Sequence, residues 1–218
     1  MPKIVSFIGW HDSGKTTLAT QVISHLKEAG YRVAVIKSTK ETGIPFDMPG
    51  TDTYKHRLAG ADSILLVAPD QMVLMTENSN QSLITLAHRY FFDVDIVIGE
   101  GFKNARHVAK IEVLRSDQLL RDKVTGVIAV ATDQEDVAGD NVFRLHQARE
   151  IAAFIEQRFL QDPRRGAERA SLLVNGNKIP LKKFVQESLA GTVAGFVKSL
   201  KFTENVQEIE LRIKLSDT

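Results

Sequence analysis

A chain of 218 residues, 43% hydrophobic and 25% charged, has enough apolar side chain for one full domain and a small addition. Its 28 Lys+Arg stand against 27 Asp+Glu, and a net charge of +1 argues against a generally basic nucleic-acid binder. The absence of cysteine excludes disulfides, thiolate metal sites, iron–sulfur ligation and cysteine nucleophiles. No run approaches the roughly 18 consecutive apolar residues of a membrane helix, and the N-terminal apolar run is too short for a secretory signal. A cytoplasmic protein that binds neither nucleic acid nor membrane is expected.

Residues 3–8 are apolar and β-branched, which predicts a buried strand. Leu18, Val22 and Leu26 then recur at helical spacing, and Gly30 stands where a glycine ends a helix. Residues 32–37 predict a second strand, and 38–50, with two Gly and two Pro, a long loop. A short helix is expected at 51–59, a strand at 63–68 with 72–75 as its hairpin partner, and a helix at 82–90. Further strands are expected at 95–99, 110–114 and 124–131, and an amphipathic helix at 147–159. Strands alternating with helices imply crossover connections and a mainly parallel sheet. The chain therefore divides into an α/β domain at 1–161, a polar linker at 162–170 and a small α+β module at 171–218. That module should hold a hairpin about Asn175-Gly176-Asn177, a helix at 184–200 and an alternating, half-buried strand at 209–215.

The strongest chemical signal is Gly9-Trp10-His11-Asp12-Ser13-Gly14-Lys15-Thr16-Thr17, which fits G-x-x-x-x-G-K-[ST] in full, between a strand and a helix. Backbone N–H groups of such a loop wrap a phosphate, and the helix N-terminus adds about half a positive charge. Lys15 should reach the β- and γ-phosphates, Thr16 should offer its hydroxyl to Mg²⁺, and Thr17 is placed for the α-phosphate. His11, Asp12 and Ser13 lie within the loop. An ordinary glycine turn is the alternative, and pattern and context together argue against it.

Nucleotide-bound Mg²⁺ needs an acidic partner on a neighbouring strand. Glu100 ends the 95–99 segment on the side where open α/β sheets bind ligands, whereas Asp95 sits at its start. Glu100 is thus the expected metal and catalytic partner of Thr16 and Lys15, a solvated turn carboxylate being the alternative. Lys37 and Lys40 follow the second strand and could face phosphate or solvent. Asp47, Asp52 and Tyr54 could order on a ligand, or Thr51 and Asp52 could cap a helix. Asp133 ends another strand, where its carboxylate could accept from guanine N1–H and N2–H₂; no N-K-x-D box accompanies it. The six histidines show no metal-ligand spacing. Trp10 reads as a packing residue, and Phe102-Lys103 as part of a loop that folds over the ligand.

Taken in order, the phosphate loop, Ile36-Lys37, Pro49-Gly50-Thr51-Asp52-Thr53-Tyr54, Ala59-Gly60-Ala61, Met75-Thr76-Glu77, Gly99-Glu100-Gly101-Phe102-Lys103 and Lys110-Ile111-Glu112-Val113 resemble the molybdopterin-guanine dinucleotide biosynthesis protein B (MobB) family over roughly residues 1–160. The resemblance implies a P-loop NTPase three-layer fold and a dimeric, Mg²⁺- and GTP-binding protein of weak GTPase activity. It implies a partner, the MobA nucleotidyltransferase, which joins GMP to a molybdenum-bound pterin, so molybdopterin itself is a candidate ligand. The His-rich stretch that some family members carry after Ile-Lys is replaced here by Ser38-Thr39-Lys40-Glu41, so roles resting on those imidazoles do not transfer. A P-loop small-molecule kinase or an ATP-dependent adaptor is the competing reading; the kinase would need an Arg-rich lid, which the sequence does not offer.

Overall fold

The structure is a computed structural model, and it describes residues 2–78, 80–115, 119–121, 123–161, 170–175, 177–201, 205–211 and 213. Six strands form one sheet in the order β2-β5-β1-β6-β7-β8, every pair parallel. These are β1 (Lys3–Ile8), β2 (Val33–Lys37), β5 (Ile96–Glu100), β6 (Ala109–Leu114), β7 (Val127–Thr132) and β8 (Val142–Phe143). Parallel strands covered on both faces read as apolar runs rather than as alternation. All five residues of β5 are accordingly buried.

Two helix layers cover the sheet. On one face α1 (Lys15–Glu28) sets Leu18, Ala19, Val22 and Leu26 against Val5, Phe7, Ile96, Ile98, Ile111 and Val113. Beside it, α4 (Ala148–Ile155) contributes Ala148, Ile151, Ala152 and Ile155. On the other face Ala87 of α3 (Leu83–Tyr90) meets Ala34 and Val97. Helix α1 stops as its sequence predicts. Gly30 takes φ 91°, its N–H donates to Lys27 O at 3.0 Å, and Tyr31 N–H donates to Leu26 O at 3.1 Å, so the last carbonyls are satisfied.

Outside this core, α2 (Asp52–Leu58) leads into an antiparallel hairpin of β3 (Ser63–Val67) and β4 (Met72–Thr76). A second hairpin, β9 (Leu172–Val174) with β10 (Asn177–Ile179), lies beside α3, and α5 (Lys183–Lys198) follows. No described helix is long and apolar enough to cross a membrane.

The expected parallel sheet, hairpins and helices are present, with several corrections. The fifth strand runs to Glu100 rather than stopping at 99, and the seventh starts at Val127 because Gly126, at φ 85°, turns the chain first. The 147–159 helix is α-helical only to Ile155; residues Glu156–Leu160 widen into a π-turn, closed by Gln161 N–H to Glu156 O at 2.9 Å. The short β8 had no counterpart among the expected strands. Residues 209–211 and 213 form no strand, and Leu211 and Ile213 are exposed, so alternation there did not produce pairing. The remaining residues of that segment, and 162–169 of the linker, lie outside the described residues.

Candidate functional site

Because the six strands are parallel, their C-terminal ends share one edge of the sheet. The phosphate loop follows β1, Lys37 ends β2, Glu100 ends β5, Arg115 follows β6 and Asp133 follows β7. β1 lies between β5 and β6, with Phe7 opposite Glu100 and Ile8 opposite Glu112. Residues far apart in sequence therefore flank the loop on both sides.

The loop itself is shaped by two glycines. A Cβ on Gly9 would stand 2.4 Å from the Val113 carbonyl oxygen and 2.6 Å from Ser13 Oγ, so any side chain there would push the loop off β6. Gly14 caps α1 in the left-handed region at φ 88°, where a side chain is strained. Asp12 also takes a positive φ, 57°, one of the few non-glycine types that tolerate it. Ser13 is buried, while the His11 and Asp12 side chains project outward, with Nδ1 to Oδ2 at 2.7 Å. His11 and Asp12 thus contribute backbone to the loop, and their side chains pair with each other.

Thr16 Oγ1 donates to Glu100 Oε1 at 2.6 Å, and Lys37 Nζ lies 3.3 Å from the same oxygen. Glu100 is only 8% exposed. The backbone around it is held as well: Ser38 N–H donates to Glu100 O at 2.9 Å and Gly101 N–H to Phe7 O at 3.0 Å. Ser6 Oγ lies 3.3 Å from the carbonyl oxygens of both Gly99 and Gly101. Lys15 Nζ donates to Trp10 O within its own loop and lies 3.4 Å from Ser13 Oγ. Burial holds this ammonium below the usual lysine pKa, aided by Lys37, while Glu100 and Asp12 oppose the shift. Lys103 Nζ stands 5.1 Å from the Trp10 ring centroid, so a cation–π contact joins the loop after β5 to the phosphate loop.

One hydroxyl and one carboxylate, both hard oxygen donors and already in contact, fit the protein share of a Mg²⁺ site completed by phosphates and water. Among the described residues no three His, Cys, Asp or Glu gather as metal ligands.

The other sequence candidates are less central. Asp133 is exposed, and its Oδ1 accepts from Leu145 N–H at 3.0 Å, which leaves the second oxygen for another donor. Asp47 is a local clamp: its Oδ1 accepts from Thr51 Oγ1 at 2.7 Å, Thr53 Oγ1 at 3.0 Å and Met48 N–H at 2.9 Å. Those hydrogen bonds, chiefly that from Thr51, hold its pKa below the ordinary carboxylate value despite an opposing desolvation. Thr51 caps α2 by accepting from Tyr54 N–H at 3.2 Å, so the capping alternative describes this segment. Lys40 is exposed and Lys37 is engaged with Glu100.

Sequence reasoning passed over Arg115. Its guanidinium lies against Gly14, with Nη2 3.3 Å from where a Cβ would stand. Its signal was positional: it is the first residue after a buried strand adjacent to β1.

A family model described as molybdopterin guanine dinucleotide synthesis protein B matches residues 4–133. A Methanocaldococcus jannaschii protein, named as a molybdopterin-guanine dinucleotide biosynthesis adapter, is 27% identical over 236 residues, covering 98% of each chain. The Escherichia coli adapter of the same name is 34% identical over 143 residues, covering 61% of this chain and 79% of its own. A crystal structure of molybdopterin-guanine biosynthesis protein B superposes with a TM-score of 0.60 at 30% identity, over 71% of this chain and 99% of the other. The Bacillus subtilis MobB structure gives 0.58 at 20% identity, over 73% and 99%.

Proposed function

The chain belongs to the molybdopterin-guanine dinucleotide synthesis protein B family, and from that premise we propose that it is a Mg²⁺-dependent GTP-binding adapter that assists a MobA-type nucleotidyltransferase. The observation that carries the nucleotide part is the 2.6 Å contact of Thr16 with Glu100 at the mouth of the phosphate loop.

The residues divide the work. Backbone N–H groups of the loop from Gly9 to Gly14, with those of Lys15, Thr16 and Thr17 at the start of α1, bind phosphate oxygens. Lys15 exchanges its contact with Trp10 O for a phosphate. Thr16 and Glu100 would hold Mg²⁺, which supplies charge neutralisation between the terminal phosphates. Lys37, 3.3 Å from Glu100 Oε1, orients the carboxylate. The free oxygen of Asp133 accepts from the guanine edge. Slow turnover suits a protein that presents nucleotide to a partner.

The protein acts as a homodimer. The β3–β4 hairpin exposes Leu65, Leu66, Val67, Met72, Val73 and Leu74 together, and a two-stranded sheet with so much apolar surface needs a cover. A second copy supplies it. Molybdopterin or the MobA-type partner would reach the nucleotide from the open strand-end edge.

The test is calorimetric titration with non-hydrolysable GTP and ATP analogues, each with Mg²⁺. Preference for the GTP analogue is expected, and Lys15→Ala should weaken binding at least about tenfold, or about 1.4 kcal/mol. Asp133→Asn keeps an acceptor for Leu145 N–H but replaces the other with a donor, and should abolish the guanine preference. Equal ATP binding by the wild type would overturn the guanine assignment. Undiminished binding by Lys15→Ala would overturn the phosphate loop.

A further inference from the structure

We propose that Arg115 is a second cation of the phosphate cradle, whose guanidinium binds the terminal phosphate of the nucleoside triphosphate; this rests on the phosphate-loop reading above. Three observations lead there. Arg115 directly follows β6, which pairs with β1, so it emerges at the strand-end edge beside the loop. Its guanidinium lies against the Gly14 backbone, with Nη2 at 3.3 Å and Cζ and Nε both at 3.4 Å from an ideal Cβ position. The left-handed glycine leaves room for it next to Lys15.

The third observation is that this arginine is unspent. Nearby, Arg121 Nη1 donates to Ala138 O at 3.0 Å and Arg144 Nη1 to Gln134 O at 2.9 Å, so both guanidiniums brace loops. Arg115 makes no ion pair or hydrogen bond among the described residues. Two other cations at the edge are engaged: Lys37 with Glu100, and Lys15 with its own loop. Described residues on either side of Arg115 are held in place. Leu114 is buried before it, and the buried Glu112 carboxylate accepts from Leu120 N–H at 2.5 Å and Arg121 N–H at 2.8 Å beyond it.

The chemistry fits a phosphate. A nucleoside triphosphate carries more negative charge than one Mg²⁺ and one lysine offset, and a planar guanidinium takes two phosphate oxygens at once. Its place beside the Gly14–Lys15 junction puts it with the residue that reaches the β- and γ-phosphates.

The experiment compares wild type, Arg115→Ala, Arg115→Lys and Lys15→Ala by calorimetry, using a non-hydrolysable GTP analogue and GDP, each with Mg²⁺. Wild type should bind the triphosphate more tightly than the diphosphate. Arg115→Ala should shrink that preference about tenfold while still binding GDP, and Arg115→Lys should restore part of it. GDP binding by the variants reports that the cradle is folded. A wild-type preference retained in Arg115→Ala, or absent from the wild type, overturns the role of Arg115 while leaving the phosphate loop standing. Failure of wild type to bind either nucleotide, or undiminished binding by Lys15→Ala, removes the underlying reading as well.

Discussion

Strand β5 and the β3–β4 hairpin are built from the same kinds of residue and have opposite fates. Ile96, Val97 and Ile98 vanish between two helix layers, while Val67 and Met72 remain 66% and 69% exposed. The hairpin is internally well made: Ser63 and Thr76 pair in register, their hydroxyls 2.8 Å apart. Among the described residues no second layer covers it, and most of both its strands is exposed. Apolar composition forms a core only where topology brings a second element against it. In β5 the monomer supplies that element, and in β3–β4 the proposed second copy would.

The contrast is broken most severely by hollowing the core. Ile98→Ala should cost about 4 kcal/mol, because a fully buried side chain leaves a cavity the parallel sheet cannot collapse around; chemical denaturation measures it. Glu112→Leu should cost about 3 kcal/mol in the same assay, since it strands the N–H groups of Leu120 and Arg121. In the hairpin, Leu66→Lys with Leu74→Lys should change monomer stability by less than about 0.5 kcal/mol, as surface substitutions do. Sedimentation should nevertheless shift from dimer to monomer. An unchanged sedimentation coefficient would mean that the hairpin is not the dimer face.

The subtlest effect is in protons. Burial lowers the Lys15 pKa in the free protein, and an adjacent phosphate anion raises it again. Nucleotide affinity should therefore be full below the lowered pKa and fall as pH rises through the raised, bound-state value. Within that alkaline window binding takes up a proton, visible as a dependence of the calorimetric heat on buffer ionisation enthalpy. Lys15→Ala should abolish the uptake.

Much of this was legible beforehand where local signal and tertiary demand agree. The strand–loop–helix run from Lys3 to Leu26 announces itself through apolar strand, glycine loop and helical spacing, and Gly30 ends it as expected. The place of Glu100 beside the phosphate loop was legible because strand-end position carries meaning in parallel sheets. Alternation across 209–215 produced no strand at the described residues 209–211 and 213, because a strand needs a partner and sequence period alone does not provide one. The π-turn at Glu156–Leu160 was invisible, since its helix period continues almost unbroken; it brings Glu156 Oε1 to accept from Tyr31 Oη at 2.9 Å. Arg115 was missed for a related reason. One arginine after a strand has no motif, and its proximity to Gly14 exists only once β6 is laid against β1.

Lys110 offers a use of its own. The residue is 1% exposed, its ammonium sits among the carbonyl oxygens of Ala105 at 2.6 Å, Thr125 at 2.7 Å and Val108 at 3.4 Å, and desolvation lowers its pKa. A shielded amine is out of reach of acylating reagents, while the amine of Lys40 is open to them. Timed acetylation read by mass spectrometry would thus make Lys110 a built-in clock for opening of the β5–β6 connection, the same segment that carries Lys103 over Trp10.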